Sequence, residues 1–245
     1  MEDFFIFALV GFLAQLVDAS LGMAYGLTST TLLLSLGFSP VIASATTHAA
    51  ECVTTGFSAL AHHQFGNISY LLFRRLLIPG MVGAMLGSYI LVQIDGETIK
   101  PFIALYLLIL GLVIITKVFR EFPPRQITRH LIPLSFCGAF IDTIGGGGWG
   151  SIVTSTLVML GNDVRTTIGS VSACEFFITM TATATFFLSD VEINWKMVAA
   201  LATGGALASP LGAWLCKHLP VKWLLLIIGT LIICLSMRIL WISLT

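Results

Sequence analysis

Asp142-Thr-Ile-Gly-Gly-Gly-Gly-Trp-Gly150 breaks a long apolar stretch with an acid, four consecutive glycines and one more beyond a tryptophan. Four glycines in a row disfavour a helix interior, since each costs about 1 kcal/mol against alanine. They let the backbone approach a ligand and turn N–H groups toward it. The same order recurs 124 positions earlier in Asp18-Ala-Ser-Leu-Gly-Met-Ala-Tyr-Gly26, where Asp18 falls on Asp142, Gly22 on Gly146 and Gly26 on Gly150. The same offset places Gly37 on Gly161, Glu51 on Glu175 and Thr55 on Thr179. With one more residue inserted, Gly80 falls on Gly205, Gly87 on Gly212 and Tyr89 on Trp214. The chain reads as two equivalent halves, 1–118 and 130–245, joined by a linker at 119–129.

Composition supplies the setting. Of 245 residues, 57% are apolar and 10% charged. A soluble domain has about 45–50% and about 25%. So few charges cannot cover a water-facing surface, and the mean hydropathy of +0.98 agrees. An integral membrane protein is expected, which excludes most soluble enzymes. The net charge is zero, and no polybasic patch invites nucleic acid. Cys52, Cys137, Cys174, Cys216 and Cys234 lie in apolar stretches without C-x-x-C spacing and read as small buried hydrophobes. The N-terminus is acidic, unlike a signal peptide, so the first segment is expected to belong to the fold.

Apolar runs such as 101–116 and 223–235 are continuous. Barrel strands would alternate over about 10 residues, which leaves helices as the spanning element. Turn chemistry and charge divide the chain at 4–18, 26–37, 40–62, 70–93, 98–118, 130–144, 149–160, 164–188, 195–216 and 221–243. Segments 26–37 and 149–160 fall short of the roughly 20 residues a bilayer requires. Five segments per half is an odd number, so the second half must sit inverted. Charge supports this. With the linker in the cytoplasm, Arg74, Arg75, Lys117, Arg120, Arg125, Arg129, Arg165, Lys217 and Lys222 lie inside, and Lys100, Lys196 and Arg238 outside. Cytoplasmic loops favour Lys and Arg, so both termini are predicted to be non-cytoplasmic.

Inverted repeats with broken central helices are a transporter architecture. The two glycine breaks, with Ser20, Gly22 and Met23 in one and Gly146, Gly147, Gly148 and Trp149 in the other, are the expected substrate contacts. Each opens a helix whose N-terminus suits an anion. The plainer alternative is close packing by small residues, which Gly22-x3-Gly26 and Gly146-x3-Gly150 also fit. A valine at Gly147 is expected to block ligand approach and abolish transport while the protein still inserts and folds. In the third segment of each half, Ser44, His48, Glu51, Thr55, Ser58 and His62 form one helical face, echoed by Ser172, Glu175, Thr179 and Thr183. Such a seam cannot face lipid; it lines a central interface or only bonds helices together. Thr46, Thr47, His48, Ser170 and Ser172 are expected donors to substrate. Glu51, Glu175, Asp18 and Asp142 are expected to take up protons or position donors. His48 is a candidate proton carrier or a structural histidine.

Other chemistries fit less well. His48-x-x-Glu51-Cys52 and His62-His63 contain ligand types without a zinc spacing. Gly148-Trp-Gly-Ser151 is not a nucleophile elbow. No Gly-x4-Gly-Lys-[Ser/Thr] occurs, so ATP is not expected to drive the process from within this chain. All twelve Lys and Arg sit near segment ends. An anion would therefore rely on helix N-termini and hydroxyls.

At these residues the chain resembles the TauE/SafE sulfite exporter family, also called the toluene-sulfonate uptake permeases. The matching parts are Gly11-Phe-Leu-Ala-Gln-Leu-Val-Asp18 with its glycine turn, the Asp142 to Gly150 run, Ala43-Ser-Ala-Thr-Thr-His48, Gly169-Ser-Val-Ser-Ala173, and Gly80 to Gly87 with its copy at 205–212. The first half departs from the family's glycine run, reading Ala19-Ser-Leu-Gly-Met23. The resemblance implies ATP-independent transport of a small sulfur-containing anion: sulfite, an organosulfonate, sulfoacetate or thiosulfate. The expectation is a multi-pass, all-α protein of the inner (plasma) membrane, not an enzyme, with no cofactor and no metal. Its partners would be a small anion and the lipid bilayer, with no nucleic acid and with room for a homo-oligomer. An intramembrane enzyme would need a nucleophile–base pair and chemically different halves. A membrane scaffold would use the seam only as glue.

Overall fold

The computed structural model describes residues 2–117, 130–216 and 221–244; the 119–129 linker with its arginines, and Lys217, lie outside the described residues. The described residues form an all-α membrane protein. Its helices are α1 (Glu2–Leu21), α2 (Tyr25–Ser35), α3 (Pro40–Gln64), α4 (Tyr70–Gln93), α5 (Gly96–Lys117), α6 (Leu131–Gly145), α7 (Trp149–Met159), α8 (Val164–Leu188), α9 (Trp195–Leu215) and α10 (Val221–Leu244). Among them α1, α4, α5, α8 and α9 are long and apolar enough to cross a bilayer. The 25-residue α3 is as long, but its polar seam makes it less apolar.

Local chemistry sets the boundaries. Gly37 and Gly161, at φ +93° and +84°, end the two short helices in a conformation few other residues adopt. Two residues on, Ser39 and Asp163 cap α3 and α8 by accepting from Ile42 N (3.4 Å) and Thr166 N (2.9 Å). Asn194 caps α9 through Met197 N at 3.2 Å. In the exposed α4–α5 connection, the Thr98 backbone N–H and hydroxyl hold the Asp95 carboxyl below the usual carboxylate range.

The helices pair across the halves. α1 packs on α9 and α6 on α4, α3 on α9 and α8 on α4, while α3 meets α8 and α5 meets α10. Replacing each helix by the one five places along maps each of these pairings onto another of the set. Glycines repeat the relation at atomic level. A Cβ on Gly212 would lie 2.9 Å from Leu16 O and 2.6 Å from Ala19 Cβ, and one on Gly87 would lie 2.5 Å from Phe140 O and against Thr143 Oγ1. Leu16 and Phe140, like Ala19 and Thr143, are 124 residues apart. Small residues let these backbones close to contact, which is how helices associate where lipid gives no hydrophobic drive.

The solvent-type pattern is reversed. Phe5, Leu9, Leu13, Phe102, Ile109, Leu207, Leu211 and Trp214 face outward, whereas Gln15, Asp18, Ser44, Thr46, Thr47, His48, Glu51, Asp142 and Glu175 are buried. The cysteines depart from expectation. Cys174 is buried, but Cys137 and Cys234 are exposed, because in a membrane an apolar thiol is equally at home against hydrocarbon. An outward groove of about 540 Å³ between α3 and α8, lined by Cys52, Phe57, Leu60, Phe176 and Phe177 among others, is apolar and touches none of the expected site residues.

Candidate functional site

The two glycine turns fold alike and face each other. Gly22 and Gly146 have φ of +66° and +76°; Ala24 and Gly148 have +97° and +127°. Ala24 holds a left-handed conformation where the other half uses glycine, a strain of about 1–3 kcal/mol that the surrounding packing must sustain. The departure from the glycine run at 19–24 therefore leaves these backbone turns alike. Each turn rests on the start of the other half's short helix. A Cβ on Gly26 would lie 2.8 Å from Gly147 Cα, and one on Gly150 would lie 2.6 Å from Gly22 O. Two threonines clamp the contact. Thr154 Oγ1 donates to Gly22 O at 2.9 Å, and the Thr30 hydroxyl donates to Gly146 O and lies 3.0 Å from Thr47 Oγ1. The Tyr106 hydroxyl adds a bond to Gly147 O at 3.1 Å. A Cβ at Gly147 would run into the Gly26 and Leu27 backbone, so this glycine is required for packing whatever else it does.

The helix N-termini expected to be open to a ligand are capped by the protein's own acids. Trp149 N donates to Asp142 Oδ1 at 2.8 Å. Asp18 takes the equivalent N–H of Tyr25, Glu51 that of Gly26 and Glu175 that of Gly150. The first two N–H groups of each short helix thus meet a pair of buried carboxyl groups, which the positive end of the helix favours.

The halves differ in one partner. His48 Nε2 lies 3.0 Å from Asp142 Oδ2, and its Nδ1 lies 2.8 Å from Ser44 O. Ser44 Oγ also lies 3.3 Å from Nδ1, so both ring nitrogens are engaged and the imidazole is fixed against Asp142. The second half's counterpart of His48 is Ser172, whose hydroxyl accepts from Ser58 Oγ at 3.2 Å. Asp18 Oδ2 has no hydrogen-bond partner among the described residues.

The sequence pattern of the sulfite exporter TauE/SafE family matches residues 7–239. The chain belongs to this family. It is 40% identical over 248 residues to the probable membrane transporter protein YtnM of Bacillus subtilis (strain 168), a match covering 97% of this chain and 83% of that protein. This TauE/SafE chain is thus a membrane transporter.

Among the expected site residues of this TauE/SafE protein, Gly22, Gly146, Gly147, Thr47, His48, Asp18, Glu51, Asp142 and Glu175 converge on the turns. Trp149 is fully buried with Nε1 donating to Ser135 O at 3.2 Å, and Met23 is buried beside Gly22. Three hydroxyls point to other work. Ser20 donates to carbonyls of its own helix, Leu16 O at 2.7 Å and Val17 O at 3.0 Å. Thr46 Oγ1 accepts from Asn194 N at 3.3 Å, tying α3 to the start of α9. Ser170 accepts from Ser69 N at 2.8 Å, at the α3–α4 connection. Thr55 and Thr179 donate to Glu51 O and Glu175 O one turn back. His62 uses both ring nitrogens, on Ala19 O (2.9 Å) and the Asn67 amide (3.1 Å), and holds α3 to α1. Sequence reading missed Thr30, Thr154 and Tyr106. The first two lie 124 residues apart, so the repeat offset itself was their signal.

Proposed function

We propose that this TauE/SafE protein moves a small sulfur-containing anion (sulfite, an organosulfonate, sulfoacetate or thiosulfate) across the plasma membrane without ATP, by alternating access between two inverted halves. The carrying observation is the pair of opposed short helices whose first N–H groups are held by buried carboxyl groups, with no Lys or Arg among the residues that meet there. A carboxylate and a sulfonate offer the same thing to a helix N-terminus: a delocalised negative charge on oxygens. The acids therefore stand where the substrate would stand. For the anion to take the N–H groups of Gly26 or Gly150, Glu51 or Glu175 must leave. A carboxyl group leaving that seat for a buried, like-charged surrounding does so protonated. Anion binding and proton uptake thereby become one event. The printed family name supports the sulfur anion, and the name of the Bacillus relative supports transport.

The test is uptake of labelled sulfite, sulfoacetate and thiosulfate by purified protein in liposomes, with and without a pH gradient. Glutamine keeps the shape of neutral glutamic acid but cannot cycle a proton. Glu51→Gln and Glu175→Gln should still bind substrate and lose the response to the gradient. Unchanged pH dependence in both variants would show that the acids are structural.

A further inference from the structure

The halves share their acids but not what surrounds them. In the first half, α1 presents Gln15 one turn before Asp18, α2 presents Tyr25 and Ser29 one turn apart, and α3 presents Thr54 one turn after Glu51. At the equivalent positions the second half has Ala139, Trp149, Val153 and Ile178. Four polar side chains thus stand where the other half has four largely apolar ones. All four are fully buried.

They also share one place. A Cβ built on Gly205 would lie 3.4 Å from Gln15 Cβ and 3.1 Å from Thr54 Cβ. The Tyr25 hydroxyl is turned toward the hydroxyls of Ser29 and Thr54, with Glu51 and Asp18 nearby. Among the described residues, Gln15 Oε1 and Nε2 and Asp18 Oδ2 have no hydrogen-bond partner within the protein, and the Tyr25 hydroxyl meets the hydroxyls of Ser29 and Thr54. Thr54 Oγ1 donates its proton to Glu51 O at 3.2 Å, which leaves its lone pairs open. Leaving polar groups unmatched in an apolar interior is costly. Trp149, in the other half, has no such debt, because its N–H reaches Ser135 O.

Charge balance says what belongs there. Asp142 faces His48, which is able to carry a positive charge, whereas Asp18 faces no such group because Ser172 replaces the histidine. The first half therefore lacks a counter-charge and has instead a set of oxygens beside an unpartnered carboxylate oxygen. We infer that the polar cluster of Gln15, Asp18, Tyr25, Ser29 and Thr54 is a binding site for a monovalent cation, Na+, which takes beside Asp18 the place that His48 holds beside Asp142. Amide, hydroxyl and carboxylate oxygens are hard ligands suited to such an ion. The set is mostly neutral, which suits a single charge. The cluster adjoins the C-terminal end of α1, whose carbonyl end carries partial negative charge, and broken-helix ends of this kind hold coupling Na+ in other transporters.

The test does not depend on anion transport, so the two readings fail separately. Purified wild-type protein is held at fixed pH and ionic strength while NaCl replaces choline chloride, and thermal unfolding is followed by tryptophan fluorescence. Na+ should raise the unfolding temperature saturably and by several degrees, while K+ and choline do not. Radiolabelled Na+ should be retained by the protein and displaced by unlabelled Na+. The double variant Ser29→Val with Thr54→Ile, which installs the second half's residues, should lose both signals, and Thr54→Ser should keep them. Should the double variant not fold, Gln15→Leu and the wild-type retention measurement carry the decision. A wild-type protein that does not distinguish Na+ from choline in either assay overturns the proposal, and the cluster is then matched by buried water only.

Discussion

Removing His48 from the Asp142 pair should have an effect whose size follows from the geometry. Nε2 and Oδ2 are 3.0 Å apart, and the two side chains are 0% and 4% exposed. Taking one partner away leaves the other a buried, unmatched group, at about 3–5 kcal/mol. His48→Ala also releases Ser44 O, and Asp142→Ala also uncaps Trp149 N, so neither single loss isolates the pair. A double-mutant cycle does. Interhelical hydrogen bonds in a bilayer protein average about 0.6 kcal/mol by such cycles, with a maximum near 1.7. A charge-assisted bond is about twice as strong as a neutral one. The expected coupling between His48→Ala and Asp142→Ala is therefore about 1–2 kcal/mol, or roughly 5–30-fold in the folding equilibrium. The assay is reversible unfolding in mixed micelles, read by tryptophan fluorescence. The Asp18–Ser172 cycle is the control and should be additive. Additivity within about 0.5 kcal/mol for His48 and Asp142 would sink the account of this pair as the second half's charge balance.

The other expectations concern packing and orientation. Gly147→Val should reduce the yield of folded protein and abolish transport together, because its side chain meets the Gly26 and Leu27 backbone; a well-folded variant with wild-type transport would refute both the contact and the ligand reading. A reporter fused after Thr245 should read as non-cytoplasmic and one in the 119–129 linker as cytoplasmic, and finding both on one side would remove the inverted arrangement.

Element boundaries were legible because they are written locally. Gly37, Gly161, Ser39 and Asp163 stop one helix and cap the next within three residues. The seam on α3 was legible from steps of three and four along one face. What stayed hidden depends on partners far along the chain. Nothing near Gly26 shows that Glu51 takes its N–H, and so the helix N-termini read as open. Ser170 and Thr46 have the right chemistry for a substrate donor, yet their direction was set by Ser69 and Asn194, on connections more than a hundred residues away. Thr30 and Thr154 look like ordinary hydroxyls on short helices until the opposite turn is placed beneath them. The asymmetry at Gln15, Tyr25, Ser29 and Thr54 was present in the sequence as a failure of the repeat, which a search for matches passes over.

The glycine contacts of Gly212 on α1 and Gly87 on α6 bear on which parts of the molecule move as one. Each holds a first helix of one half against a fourth helix of the other, with only a carbonyl and a small side chain against the glycine. A hinge that followed the boundary between the halves would have to pull these contacts apart. The expected units of motion are composites, α1 with α9 and α6 with α4, sliding where α3, α8 and the two short helices meet. Cutting the chain at 119–129 would then leave two polypeptides still interlocked like clasped hands, and conformational exchange would cross from one polypeptide to the other at every cycle.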